Sequence, residues 1–306
     1  MFRWWQKQPG GEGLVALAPS ADGQTRLAAV SRARGGAPRV GFLGAIERGN
    51  ARGLRQLAER HALRHFPVSA LLAEGDYQLL LVEAPDVRPE ELRAAVRWRI
   101  KDLLDFHLDD AVIDVFEIPD QRHANRNRMM YAVAARTRTV SESVQLAEDA
   151  GLPVAVVDIP EMALRNLAAL LPEESQGLAL VHLEAGSGIV TVSRGGTLYL
   201  ARRFDRGLRD FDDGRATSHA EAVLLEVQRS LDYYDSHFSH GPVAAVALTP
   251  PAANTVLADY LPARLDVAVL TPVLQELVEF VQPPVRWDPA DVLALGAALR
   301  TEAKVL

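Results

Sequence analysis

The chain has 306 residues, of which 48% are apolar and none is cysteine, and its net charge at pH 7 is -7. The apolar content supports two domains or one large α/β unit, while the missing cysteines exclude disulfides, thiolate nucleophiles and cysteine zinc sites. The acidic balance argues against a nucleic-acid partner, because such binding depends on neutralising phosphates with Lys and Arg.

The first half of the chain begins with a predicted hairpin. Residues 13–32 give two apolar strands around a turn at Asp22-Gly23, and a third strand follows at 38–46. Amphipathic spacing predicts a helix over 50–62, and the apolar run at 77–85 predicts a buried strand that Pro85 ends.

The next predicted helix, 88–104, has a proline at its start and acidic residues in its first turn. Two strands are predicted at 109–119 and 128–137, and the polar residues between them indicate an exposed hairpin tip. A helix over 141–150, a strand over 153–159 and a helix from Pro160 complete this half. The polar segment LPEESQG, residues 171–177, is predicted to be a linker at a domain boundary.

The second half opens with the hairpin LALVHLEAGSGIVTVSRGGTLYLARRF, residues 178–204. A long amphipathic helix is predicted over 218–238, strands over 243–249 and 265–271, and a final helix over 288–300 that an aspartate and a proline begin. Both halves therefore open with hairpin strands and close with helix, strand and helix. This order predicts two similar α/β lobes that face each other across a ligand cleft.

Four segments resemble a known family: EELRAAVRWRIKDLLDFHLDDAVIDVFEIP, YAVAARTRTVSESVQLAEDAGLPVAVVDIPEMALRNL, EVQRSLDYYDSHF and LALGAALR. In this order they resemble the PilM family of type IV pilus assembly proteins, and within it the MSHA-type members. The resemblance implies an α/β, actin-like fold of the Hsp70, actin and FtsA type, with two lobes and a small inserted α/β subdomain. The implied first lobe is 12–170 with the insert at 77–136, the second lobe is 176–284, and a C-terminal helix at 285–306 returns to the first lobe.

Three nucleotide-binding loops of such folds are altered in this chain. Nucleotide-binding relatives have Asp-x-Gly at the first hairpin, where this chain has Ala18, Pro19 and Ser20. Proline has no N–H to donate to a phosphate. In the second hairpin, His182 stands at the place of the aspartate and Glu184 at the place of a glycine, and a carboxylate there repels phosphates.

The third loop has Pro250 and Pro251 at the places of two glycines. We therefore expect no bound cofactor, no catalytic residue and no ATP turnover. The alternative is an ATP-binding switch of the same pilus machinery, with Mg²⁺ and the phosphates held in a rearranged way. The residues that would then hold them are Ser20, Asp22, Gly186, Ser187 and Gly188.

The family resemblance also implies partners. It implies a cytoplasmic scaffold, peripheral to the inner membrane, that binds the N-terminal cytosolic tail of a PilN-like bitopic membrane protein and contacts the pilus assembly ATPase. The implied groove lies between the first lobe and the insert. The side chains predicted to contact the tail are Leu80, Val82, Trp98 and Phe106.

Other patterns predict little chemistry. His61 and His65 have the helical spacing of zinc ligands but no HExxH motif, so we expect no metal site. The sequence has no G-x-S-x-G motif, so nothing indicates a hydrolase. A sugar or acetate kinase would need a catalytic aspartate and a substrate loop, and we find neither in the sequence. No signal peptide and no apolar run of about 20 residues occur, so we expect neither export nor a membrane span. The aromatic N-terminus, with Phe2, Trp4 and Trp5, fits either lipid contact or packing on its own domain.

Overall fold

The computed structural model describes residues 13–32, 36–122, 128–212, 214–251 and 255–301. Residues 123–127, in the middle of the predicted hairpin tip at 120–128, and the N-terminal aromatic stretch lie outside these residues.

The described chain forms strands and helices that we number in chain order. The strands are β1 Gly13–Pro19, β2 Gln24–Arg32, β3 Pro38–Glu47, β4 Val68–Leu71, β5 Tyr77–Glu83, β6 Ala111–Glu117, β7 Met129–Arg136, β8 Val154–Asp158, β9 Leu178–Leu183, β10 Gly188–Arg194, β11 Thr197–Phe204, β12 Ala245–Thr249, β13 Ala268–Leu270 and β14 Glu279–Phe280. The α-helices are α1 Ala51–Arg60, α2 Pro89–Arg99, α3 Thr137–Asp149, α4 Pro160–Ala168, α5 Ala216–His237, α6 Thr255–Tyr260, α7 Leu274–Leu277 and α8 Pro289–Ala298.

The first sheet has six strands in the order β14-β3-β2-β1-β4-β8. Alternate residues of β1 face opposite sides, so Val15 and Leu17 pack with α1 and α3, while Ala16 and Ala18 pack with α4 and α8. The small side chains on that second face let α8 lie close to the sheet. A Cβ added at Gly296 of α8 would be 2.2 Å from the carbonyl oxygen of Ala163 in α4, so the two helices touch backbone to backbone.

The second sheet has five strands in the order β11-β10-β9-β12-β13. One face packs against α5. The other face, with Leu180 and Ile189, joins the core that α4 and α8 share with the first sheet. Helices α4 and α8 therefore contribute to one core with both sheets.

A third sheet, in the order β5-β7-β6, is formed by residues of the predicted insert. Helix α2 covers one face, through Val96 and Ile100. The opposite face carries Tyr131, which packs among side chains of the second sheet and α5. The three-stranded sheet is thus held between α2 and the second sheet.

Two local predictions were wrong, and one strand was missed. Strand β4 had no prediction, α3 begins at Thr137 instead of 141, and the strand over 77–85 is not wholly buried, because Leu81 is 40% exposed. The segment predicted to be a linker contains a 3-10 helix, Pro172–Gln176. Its Glu174 is buried and accepts a hydrogen bond from the Gly196 N–H at 2.8 Å, so this carboxylate ties the segment to the β10–β11 turn.

Helix α8 contacts β1, β2 and α4. The domain boundaries stay predictions. Within the described ranges, no helix is both long enough and apolar enough to cross a bilayer.

Candidate functional site

The turn of the first hairpin is held by charged neighbours. Ser20 Oγ donates to Asp288 Oδ1 at 3.2 Å, and Arg26 Nη2 donates to Asp22 Oδ2 at 2.6 Å and to Asp288 Oδ2 at 3.0 Å. Arg48 Nη2 donates to the Ser20 carbonyl at 2.6 Å. Asp288 is also the N-cap of α8, so this turn is fastened to the start of that helix.

The second hairpin carries a buried histidine. His182 is fully buried at the end of β9, and its Nδ1 lies 3.1 Å from Thr249 Oγ1 on the neighbouring β12. Its Nε2 has no hydrogen-bond partner in the described part of the chain. Burial, together with the cation of Arg203, lowers the pKa of His182 to about 3. The imidazole is therefore neutral at physiological pH.

The turn after β9 is covered by the chain itself. The Leu208 N–H donates to the Glu184 carbonyl at 2.8 Å, and the Arg209 N–H donates to the Ala185 carbonyl at 3.0 Å. A Cβ added at Gly207 would lie 2.5 Å from the backbone nitrogens of both Gly186 and Ser187. Only glycine fits at position 207, because any side chain there would collide with the backbone of this turn.

A cluster around Arg203 connects the second sheet to the rest of the molecule. Arg203 on β11 donates to Glu161 Oε1 of α4 at 3.0 Å and to Tyr77 OH of β5 at 2.6 Å, and Tyr77 OH donates to Glu161 Oε2 at 2.6 Å. Arg203 Nη1 also lies 3.6 Å from Glu184 and 3.7 Å from Glu74. Three carboxylates thus face one guanidinium.

The surroundings of this cluster alter its acid-base properties. Burial raises the pKa of the Glu184 carboxyl, although Arg203 opposes the shift. Burial and the neighbouring Glu161 carboxylate raise the pKa of Tyr77 well above its ordinary range. The cluster therefore contains more acidic groups than cations. It offers no surplus positive charge that would attract a phosphate.

The five residues predicted to hold a nucleotide have different partners. Ser20 and Asp22 bond within the first turn and to α8, as described above. Ser187 Oγ donates to Glu74 Oε2 at 2.7 Å. Gly188 lies under the ring of Phe204, where an added Cβ would be 2.2 Å from a ring carbon, and Gly186 lies in the covered turn. All the side-chain hydrogen bonds that the structure gives these residues therefore go to other parts of the protein.

The four residues predicted to contact a partner tail lie around α2. Leu80 and Val82 point from β5 into the core beneath α2, and Phe106 is half-buried with the Arg136 guanidinium 4.5 Å above its ring. Trp98 is 69% exposed. These residues therefore belong to one small core and its surface, with only Trp98 of the four largely open to solvent.

No sequence motif singles out Arg203. The only feature that could have indicated it is the pair Arg202-Arg203 at the end of a predicted strand. Successive side chains of a strand point to opposite faces, so one of the two arginines lies on each face. In the described residues, no group of three His, Cys, Asp or Glu side chains could hold a metal ion.

Comparisons with known proteins agree with this fold. Residues 79–208 match the sequence profile of the type IV pilus assembly protein PilM, and no curated protein matches the chain by sequence. Over that segment the chain is similar to PilM.

A chain of the PilM-PilN type IV pilus biogenesis complex superposes with a TM-score of 0.71 at 20% identity, covering 95% of this chain and 98% of that one. A Bacteroides thetaiotaomicron protein with an actin-like ATPase fold and unknown function gives 0.53 at 9% identity, over 95% and 97%. The cytoplasmic domain of EpsL, an inner membrane component of the type II secretion system of Vibrio cholerae, gives 0.52 at 13% identity, over 94% and 96%. The predicted actin-like fold is confirmed.

Proposed function

We propose that this chain is a non-catalytic, actin-like scaffold for the assembly of a type IV pilus of the MSHA type, similar to MshI. It binds the N-terminal cytosolic tail of a PilN-like bitopic protein, and this partner holds it at the cytoplasmic side of the inner membrane. Support comes from the PilM profile over residues 79–208 and from the superposition on a chain of the PilM-PilN complex.

The covered turn of the second hairpin is the observation that carries the non-catalytic part of this proposal. In a nucleotide-binding relative, backbone N–H groups at this turn meet the phosphates. Here a Cβ at Gly207 would collide with the nitrogens of Gly186 and Ser187, and the carboxylate of Glu184 in the same turn lies 3.6 Å from Arg203. A triphosphate would have to displace residues 207–209, and the Glu184 carboxylate of the same turn would repel it.

Thermal unfolding with and without millimolar Mg-ATP tests this proposal against the ATP-binding switch. We expect the melting temperature to change by less than about 1 °C, because a ligand raises it only by binding the folded state. A ligand present at 100 times its Kd would stabilise the native state by about 2.7 kcal/mol, which corresponds to several degrees for a chain of this size.

Mg²⁺ without nucleotide is the control, because it isolates any effect of the cation on stability. A rise of several degrees that saturates with ATP concentration and is absent with Mg²⁺ alone would overturn the non-catalytic scaffold in favour of the switch.

A further inference from the structure

The three-stranded sheet with α2, called the strap below, is joined to the two larger sheets in different ways. Both of its chain connections lead to the first sheet: β4 of that sheet continues into β5 through residues 72–76, and β7 continues directly into α3, which packs on that sheet. The chain has no cysteine, so the contacts of the strap with the second sheet and α5 are non-covalent. These contacts are what can hold or release the strap.

The first fastening lies at the start of β5. Tyr77 OH accepts a hydrogen bond from Arg203 of β11 at 2.6 Å and donates one to Glu161 Oε2 of α4 at 2.6 Å. The Glu161 side chain is 1% exposed, and Arg203 also donates to its Oε1 at 3.0 Å. Hydrogen bonds to ionised groups are stronger than neutral ones, and burial strengthens them further. One hydroxyl of the strap is therefore held by a buried ion pair.

A second hydroxyl of the strap contacts the edge of the second sheet. Tyr131 of β7 is buried, and its OH accepts a hydrogen bond from the Ala201 N–H at 2.9 Å. Ala201 lies on β11, an end strand, where alternate N–H groups point away from the sheet. Close by, Tyr77 packs in one apolar cluster with Leu198 of β11. The two tyrosines thus tie the strap to one strand of the second sheet.

The opposite end of the strap is fastened to the end of α5. Gln121, which follows β6, forms an antiparallel bridge with Phe238. The Arg122 N–H donates to the His237 carbonyl at 2.9 Å, and Arg122 Nε donates to the Phe238 carbonyl at 2.7 Å. The last carbonyls of a helix lack donors within the helix and attract cations. Arg122 therefore caps α5 and fixes this end of the strap at the same time.

The backbone at this second fastening is strained. Asp120 has a φ of 56°, in the left-handed region that residues other than glycine seldom adopt. Its Oδ2 accepts a hydrogen bond from Tyr199 OH at 3.3 Å and lies 3.4 Å from His240 Nε2. Such a conformation persists where surrounding contacts hold it. The contacts of Asp120 and Arg122 with the second sheet and with the end of α5 supply that support.

We propose that the strap is a conformational lock, whose two fastened ends hold the three sheets in one arrangement. The ends lie about 20 Å apart, along the seven residues of β5. Because both belong to one sheet, opening one end leaves the strap held by the other, and release requires both to open together. A ligand that fits only the released arrangement must favour it by the combined stability of the two fastenings.

Distances between two spin labels test the lock. Since the chain has no cysteine, labels attach only where one is introduced, at Ala94→Cys on α2 and Asp232→Cys on α5, both exposed positions. Double electron–electron resonance should give one narrow distance distribution when both fastenings are intact. Its width reports how far the strap moves relative to α5.

The variant Tyr77→Phe, Tyr131→Phe, Arg122→Ala opens both ends, and we expect it to widen the distribution about twofold or to add longer distances. The tyrosine changes keep both rings, so the cores keep their volume, and the melting temperature of each variant checks folding. Tyr77→Phe, Tyr131→Phe and Arg122→Ala tested separately, each opening one end, should leave the distribution narrow.

Tyr260→Phe, Arg264→Ala is the matched control. It changes the same residue types at α6, where the Arg264 guanidinium lies 3.7 Å above the Tyr260 ring, and it should leave the distribution unchanged. A broad distribution with both fastenings intact would overturn the lock, and that measurement needs no variant of the fastenings. A narrow one when both ends are opened, or equal widening in the control, would overturn it too.

Discussion

Replacing Arg203 by Met is expected to lower the free energy of unfolding by about 3 kcal/mol. The substitution leaves Glu161, whose side chain is 1% exposed, without the cation that donates to it at 3.0 Å. An unpaired buried carboxylate costs several kcal/mol, and the remaining hydrogen bond from Tyr77 OH replaces only part of the lost interaction. Urea-induced unfolding at pH 7 measures the change.

Arg202→Met is the matched control, one residue earlier on the same strand. Arg202 is 32% exposed and lies 3.8 Å from Glu226, a pair that solvent screens, so we expect a loss below about 1 kcal/mol. The double variant Arg203→Met, Glu161→Gln should recover part of the loss, because it removes the buried charge that the single variant leaves behind. Equal losses from Arg202→Met and Arg203→Met would contradict the clustering of charge around Arg203.

Lowering the pH from 7 to 5 is expected to destabilise the protein by about 2 kcal/mol through His182 alone. The pKa of His182 is about 3 in the folded protein, and a histidine in an unfolded chain has a pKa of about 6.5. Below pH 6.5 the imidazole binds a proton in the unfolded state but stays neutral in the folded state, so protonation favours unfolding. The stability that the neutral His182 contributes is therefore fully present above pH 6.5 and is lost progressively as the pH falls to about 3. Urea unfolding at both pH values gives the difference.

His182→Gln should remove this part of the pH dependence, since glutamine does not titrate and its amide can still bond to Thr249. His65→Gln, at an exposed position, is the matched control substitution. If the unsubstituted protein and His182→Gln lose the same stability between pH 7 and pH 5, His182 is not buried as a neutral base.

The order of elements and the actin-like fold could be predicted from the sequence. Most strands had clear apolar runs with turn residues between them, and α8 begins with the predicted Asp288 cap and proline. The sequence also drew attention to His182 and Glu184, which the structure places close to Arg203. Patterns of this kind depend on neighbours in the chain, which a sequence shows directly.

The features that could not be predicted depend on distant residues. The four-residue strand β4 shows no alternation of apolar and polar residues, because all four of its residues are buried. The buried carboxylate of Glu174 accepts a hydrogen bond from the N–H of Gly196, which lies 22 residues further along the chain. The register of β11 against β10 decides whether Arg202 or Arg203 enters the cluster. An irregularity between Val192 and Ser193 of β10 shifts that register.

Titration of the protein with the partner's cytosolic tail peptide, with and without Mg-ATP, tests the scaffold proposal most directly. The proposal predicts saturable binding without nucleotide and the same affinity with millimolar Mg-ATP, because under it no nucleotide binds at the covered turn. Absence of binding, or binding that requires Mg-ATP, would contradict it.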